Sequence, residues 1–294
     1  MGTPEFAVPS LEAMAAAGHQ IAAVFTQPDR PKGRGQETAK SPVKIVAERL
    51  GLTVFQPERV RRPEVIEQIR AIAPEVMVVV GYGQIIPQAI LDIPPRGIIN
   101  VHASLLPKYR GAAPIQWAIA RGETKTGVTT MRIDAGLDTG EMLLKTETAI
   151  GDEETAVELS VRLATMGADL LRRTLDQLSS IKPGKQDDSQ ASYAPILKKE
   201  DGRIDWMMPA REIANRVRGF QPWPGCYTVW RGKRLAIWRA RAQAGGGRPG
   251  ELRGATVACG EGLLELIEVQ PEGKKRMTAD AFLRGHAVKD GEVL

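Results

Sequence analysis

Cysteine and histidine are scarce in this chain. Its 294 residues include two cysteines, Cys226 and Cys259, and three histidines, His19, His102 and His286. Two cysteines make no disulfide framework, and no Cys/His spacing reads as a zinc site. No apolar run approaches the roughly 18–20 residues that span a bilayer. The first residues carry no basic-then-apolar leader pattern. Phosphate-cradling fingerprints are missing too: no G-x-G-x-x-G follows a strand, and there is no Walker loop. Gly33-Arg34-Gly35 lies in a loop with no helix start behind it. These absences disfavour a metal centre, a membrane span and a nicotinamide or ATP enzyme. A cytoplasmic protein, or its organellar-matrix equivalent, is expected.

What is present is an ordinary globular composition, 43% hydrophobic and 26% charged. The net charge of +5 is unevenly placed. Residues 204–294 hold 15 Lys/Arg and 10 Asp/Glu, whereas residues 1–203 hold 25 of each. The whole surplus therefore sits in the last third. That suggests an anionic partner there, against the alternative of surface cations that only aid solubility.

The first two thirds alternate strand and helix signals. Strands are expected at 21–26, 52–55, 76–80 and 97–101, with two later strands at 127–133 and 141–146. Val43, Val46, Ala47 and Leu50 fall at i, i+3, i+4 and i+7 and predict a helix over 42–50; another is expected over 63–72. The unbroken apolar run Val76 to Val80 fits a parallel strand covered on both faces. This alternation predicts an α/β domain with a Rossmann-like, doubly wound parallel sheet. Thr155 and Glu158 form a capping box before a long helix that ends near Ser179. Residues 181–203 are polar and read as a linker. From 204 onward the pattern changes: a helix near 210–218 precedes short strands at 227–230, 234–241, 256–259 and 263–269. Short strands with regular turns suggest a small β-barrel. The expected organisation is a first domain over 1–180, a linker over 181–203 and a second domain over 204–294.

The segment from Asn100 to Pro114 is the most informative. Residues i and i+2 of a strand point the same way, so Asn100 and His102 project together from a strand's C-terminal end. In open α/β sheets ligands sit beyond those ends. An amide and an imidazole there can polarise a carbonyl and move a proton. A lone strand histidine is more often structural than catalytic; Asn100 beside it favours a site. Asp134 and Asp138 lie in a Gly-rich connection between two strands. That connection is either a plain turn or a device that brings Asp138 close to His102, where a carboxylate orients the ring. The loop Tyr82-Gly83-Gln84-Ile85-Ile86-Pro87 also follows a strand end. It is either an ordinary connection or the lining of a pocket for a flat heteroaromatic ligand. The polar, basic loop from Gln27 to Ser41 is too long for a routine connection. It could grip phosphate or base edges, or be an unstructured surface loop.

Taken together these residues resemble the methionyl-tRNA formyltransferase family of folate-dependent formyltransferases, nearly end to end. The shared stretches are Gly2 to Phe6, the loop from Gln27, Val78 to Gly83, Asn100 to Gln116, Gly136 to Gly140, and Phe220 to Pro224. The segment Asn100 to Gln116 is shared in part with other folate-dependent formyltransferases; the Gln27 loop and the C-terminal region are more specific. The resemblance implies a C-terminal OB-like barrel that binds tRNA. It also implies transfer of a formyl group from 10-formyltetrahydrofolate to the amino group of methionine on initiator tRNA, without a metal. Asn100, His102 and Asp138 are then the catalytic group. Ser104, Leu105, Leu106 and Pro107 match the folate-binding stretch, with Tyr82, Gly83, Gln84, Ile85 and Ile86 lining the pocket. Arg30, Lys32, Arg34, Lys198 and Lys199 are expected to meet the tRNA, and the chain is expected to act as a monomer.

One departure stands out. The family carries a short apolar strand before the Gly-Thr-Pro motif, whereas here Met1 stands directly before Gly2. The first strand of the sheet is therefore expected to be missing, its neighbours left without partners, and the coding start to lie upstream. Two other readings compete with the main one. One is a folate-dependent formyltransferase for a purine intermediate or a nucleotide sugar, disfavoured by the basic loop and the barrel. The other is an RNA-binding protein with a degenerate site, disfavoured by intact Asn100, His102 and Asp138.

Overall fold

Strand and helix alternate through the first part of the chain in the computed structural model, which describes residues 1–32, 37–287 and 289–294. The order is α1 (Val8–Ala16), β1 (Val24–Phe25), β2 (Arg30–Lys32), β3 (Glu37–Ala39), α2 (Pro42–Arg49), β4 (Val54–Phe55), α3 (Pro63–Ile72), β5 (Met77–Val79), α4 (Gln88–Leu91), β6 (Ile98–His102), β7 (Arg110–Gly111), α5 (Pro114–Ala120), β8 (Lys125–Arg132), β9 (Met142–Ala149), α6 (Ala156–Asp176) and β10 (Tyr193–Ala194). The last third gives α7 (Ala210–Gly219), β11 (Cys226–Trp230), β12 (Lys233–Gln243), β13 (Leu252–Arg253), β14 (Thr256–Ala258), β15 (Leu263–Pro271), β16 (Met277–Thr278) and α8 (Ala279–Gly285). Local chemistry starts several helices. Ser41 Oγ accepts from Lys44 N–H and Pro42 opens α2. Thr155 Oγ1 accepts from Glu158 N–H while Glu158 returns the bond to Thr155 N–H, the reciprocal cap expected before α6.

Contacts divide the chain into two units. The first comprises Met1–Gly111, Gly127–Thr148 and Ser160–Tyr193, and the second Ala112–Thr126, Ala149–Leu159 and Ala194–Leu294. Among the described residues of the first, β1 and β4 pair in parallel, and a separate sheet runs β5-β6-β8-β9. β5 and β6 are parallel, but β6 and β8 are antiparallel. The expectation of an all-parallel sheet is therefore corrected to a mixed one. The reason is burial: Thr126 to Met131 are all buried, so β8 shows no in-out alternation that would betray its direction. Phe25, Ile69, Tyr82, Ile90 and Ile98 form part of the core beside β5 and β6.

The two sheets are bridged at Met1 and Gly2. Gly2 N–H donates to Phe25 O at 3.0 Å, and Val80 N–H donates to Met1 O at 2.9 Å. The terminal amine donates to Val78 O at 2.6 Å, and burial pushes its pKa down to about 5. Beside this bridge a cavity of about 180 Å³ is lined by β1, β5 and α1, with Ser10, Met14, Val24 and Met77 among its walls.

In the second unit the described strands form an antiparallel sheet in the order β11-β12-β15-β14-β13, with β16 beside β15. A register shift between Ile237 and Ala240 bends β12. Its core gathers Trp206, Phe220, Trp230, Leu264 and Phe282.

Candidate active site

Asn100 and His102 stand on β6 two residues apart, so they share a face. His102 is 6% exposed and Asn100 half-buried. Tyr109 O lies 2.9 Å from His102 Nε2. A carbonyl only accepts, so Nε2 carries a proton. Nδ1 is then the nitrogen free to take up or release a proton, and it faces Asp138 Oδ2 across 3.7 Å. Asn100 Nδ2 approaches Asp138 Oδ1 at 3.5 Å. Gly111 N–H donates to Asp138 Oδ2 at 2.8 Å. The carboxylate therefore stands between the amide and the imidazole, as the Gly-rich connection suggested.

The connection between β8 and β9 is built to make this approach. A Cβ on Gly140 would lie 1.8 Å from Arg132 O, so no larger residue fits there. Asp138 itself adopts a left-handed backbone, with φ of +52°, a conformation that L-residues seldom keep without support. The two acids have different parts. Asp134 Oδ1 accepts from Gly136 N–H at 3.0 Å and from Thr139 Oγ1 at 2.8 Å. That is turn chemistry, whereas Asp138 faces the imidazole.

The turn after β6 is braced from below. Thr129 Oγ1 donates to Ser104 O at 2.7 Å and accepts from Leu106 N–H at 3.2 Å. Ser104 Oγ donates to Lys108 O at 2.6 Å. Ser104 and Leu106 are buried, and Leu105 and Pro107 half-buried. In the second loop Tyr82 is buried at 1% exposure and belongs to the core. Burial pushes its phenol up to about 12. Gln84 turns inward, its Oε1 accepting from Val60 N–H at 2.7 Å. Ile86 is also buried, whereas Gly83 is exposed and Ile85 is 91% exposed. Of this loop, Gly83 and Ile85 are thus the exposed residues.

The basic loop opens with an antiparallel hairpin, Arg30 pairing with Ala39 and Lys32 with Glu37. Its base is tied by Asp29, which accepts from Lys44 Nζ at 2.5 Å and Gln56 Nε2 at 2.7 Å. The Lys44 ammonium beside it holds the Asp29 carboxyl below the usual carboxylate range. Arg30 is exposed; Arg34 lies outside the described residues. Lys198 and Lys199 are exposed in the second unit. The described residues contain no cluster of three or more His, Cys, Asp or Glu side chains suited to a metal, and no helix among them is long and apolar enough to cross a membrane.

Sequence reasoning did not find Gln186. Its amide nitrogen donates to Asp138 O and to Gly140 O, both at 2.8 Å. The residue falls in the stretch that reads as a linker, and nothing in its spacing marks it. Arg110, which meets Gln186 Oε1 at 3.0 Å, lies inside the motif, but its type suggests only a surface cation.

The first unit is thus a mixed α/β unit in which an amide and an imidazole at the end of β6 face a carboxylate from the β8–β9 connection. Formyl transferase matches residues 1–175, and the Formyl transferase C-terminal domain matches residues 196–287. The chain belongs to the formyltransferase family, and within it to the methionyl-tRNA formyltransferases. It is 62% identical to the methionyl-tRNA formyltransferase of Solibacter usitatus, covering all of this chain and 97% of that one. The corresponding enzyme of Citrifermentans bemidjiense is 53% identical, with 100% and 95% covered. Among solved structures, the fold is similar to WlaRD, a sugar 3N-formyl transferase crystallised with dTDP and 5-N-formyl-THF. That match has a TM-score of 0.69 at 20% identity, covering 93% of this chain and 97% of that one. HypX of Aquifex aeolicus, solved with tetrahydrofolic acid, matches at a TM-score of 0.60 and 16% identity, covering 89% of this chain and 46% of that one.

Proposed function

We propose that this chain transfers the formyl group of 10-formyltetrahydrofolate to the α-amino group of methionine on initiator tRNA, preparing it for the initiation of translation. The observation that carries this reading is the Asp138 carboxylate standing between Asn100 and His102 in a chain 62% identical, over its full length, to a methionyl-tRNA formyltransferase. The donor set suits a formyl oxygen. The 3.5 Å contact from Asn100 Nδ2 to Asp138 is long for a hydrogen bond, so the amide can turn to a better acceptor.

When bound, the folate supplies the activated formyl carbon. Asn100 Nδ2 then donates to the formyl oxygen, where negative charge builds as the amine attacks. The Asp138–His102 pair takes the proton that the amine sheds and passes it to the departing folate nitrogen. Ser104, Leu105, Leu106 and Pro107 form one wall of the folate site, and Gly83 and Ile85 of the segment from Tyr82 to Ile86 offer the other its exposed edge. Arg30, Lys32 and Arg34 meet the acceptor end of the tRNA, with Lys198 and Lys199 on its backbone.

In this reading residues 1–180 are catalytic, 181–203 link, and 204–294 form an OB-like tRNA-binding domain. The enzyme works as a cytoplasmic monomer. The test offers the purified chain 10-formyltetrahydrofolate with either initiator Met-tRNA or a nucleotide-linked amino sugar. Formylmethionyl-tRNA without formylated sugar is the expected product pattern. Formylated sugar with unmodified Met-tRNA would overturn the assignment.

A further inference from the structure

Arg110 is 3% exposed. Its Nε donates to Gln186 Oε1 at 3.0 Å, and its Nη2 donates to Asp188 Oδ1 at 2.7 Å. A guanidinium only donates, so the amide oxygen of Gln186 must be the atom that faces it. The amide nitrogen then points the opposite way, toward the Asp138 and Gly140 carbonyls, which only accept. The orientation of Gln186 is thus dictated from both sides. Turning the amide over would set NH₂ against the guanidinium and oxygen against two carbonyls.

The loop that Gln186 grips is one that needs a grip. Asp138 sits at φ of +52°, and its carboxylate must lie close to both His102 and Asn100. One three-residue segment meets three parts of the arrangement. Tyr109 O pairs with His102 Nε2, the Arg110 side chain locks Gln186, and Gly111 N–H holds Asp138 Oδ2.

We infer that Gln186, locked by Arg110, is a positioning residue for formyl transfer: it holds the backbone of residues 138–140 so that the Asp138 carboxylate stays between His102 and Asn100. This rests on the reading of Asp138 as a site carboxylate. Gln186 touches neither the formyl donor nor the amine; its effect passes through Asp138. A misplacement of about an ångström at such a group costs on the order of 10²-fold in rate.

The test is a double-mutant cycle on the full chain, read as kcat and KM for both substrates. Gln186→Leu keeps much of the shape and removes both donors. Its kcat is expected to fall ~10- to 100-fold, with both KM values within about twofold of wild type. In the Asp138→Asn background the same change should add no further loss, because the carboxylate it positions is gone. Gln186→Glu is the second variant, and it replaces Gln186→Leu if that protein does not fold. A carboxylate still accepts from Arg110 but cannot donate to the two carbonyls, so the same loss of kcat is expected. Wild-type kcat in a folded Gln186 variant would overturn the inference. So would fully additive losses in the cycle, which mark a general structural role. Near-wild-type turnover by Asp138→Asn alone would instead overturn the underlying site reading.

Discussion

Thr129 shows how much of the turn after β6 depends on one buried hydroxyl. Its hydroxyl matches Ser104 O and Leu106 N–H within buried surroundings. Thr129→Val keeps the shape and strands both backbone groups. A buried unmatched polar group costs about 1–3 kcal/mol, so denaturant unfolding should show a loss of that size. Folate affinity should weaken as the 104–107 turn loosens; unchanged stability and affinity would show that the brace is dispensable. At this scale the sequence was legible where spacing is short and chemistry distinctive. The shared face of Asn100 and His102 follows from strand geometry, whereas the glycines around Asp138 left a plain turn and an approach to His102 both open. Gln186 was not legible, because its partner Asp138 lies 48 residues earlier in the chain and a polar stretch without periodicity carries no sign of what it touches. Tyr82 shows a second limit: the sequence gives no sign that its ring is buried in the core.

At the scale of elements, burial decides what sequence pattern can reveal. β12 alternates and its pairing is readable; β8 is covered on both faces and conceals its direction. α1 carries a local flaw: Ser10 Oγ is buried without a partner and borders the cavity between β1 and β5. Ser10→Ala removes that unmet hydroxyl and improves helix propensity. It should raise unfolding stability by about 1 kcal/mol; a measured decrease would mean the hydroxyl is satisfied. The strand hairpin β11–β12 is tied to the chain's last residues by Glu292. That carboxylate accepts from Arg231 Nη2 at 2.7 Å and Trp230 Nε1 at 3.0 Å. The Arg231 guanidinium, foremost, holds its pKa down at about 2. A carboxylate depressed in the folded state contributes stability above its unfolded pKa and loses it as pH falls through the folded value. The melting temperature of the wild type should therefore exceed that of Glu292→Gln at neutral pH, and the gap should close toward pH 2. A gap independent of pH would contradict the pairing.

At the scale of the whole molecule, charge and site divide the work. The +5 surplus of residues 204–294 should draw tRNA through its phosphates, while the carboxylate, imidazole and amide in the first unit are proposed to act on the formyl group. Removing one cation from a phosphate lowers the slope of log affinity against log salt by about 0.7–0.9. Replacing exposed Lys233, Lys274 and Lys275 by Ala should therefore flatten that slope for tRNA binding and leave folate binding unchanged. An unaltered slope would move the RNA platform elsewhere. The proposed role of Asn100, His102 and Asp138 in formyl transfer is tested by the single-turnover rate of formylmethionyl-tRNA formation by His102→Ala at saturating folate and Met-tRNA. That rate should fall on the order of 10²-fold or more, with tRNA binding nearly intact. A rate within a few fold of wild type would contradict it.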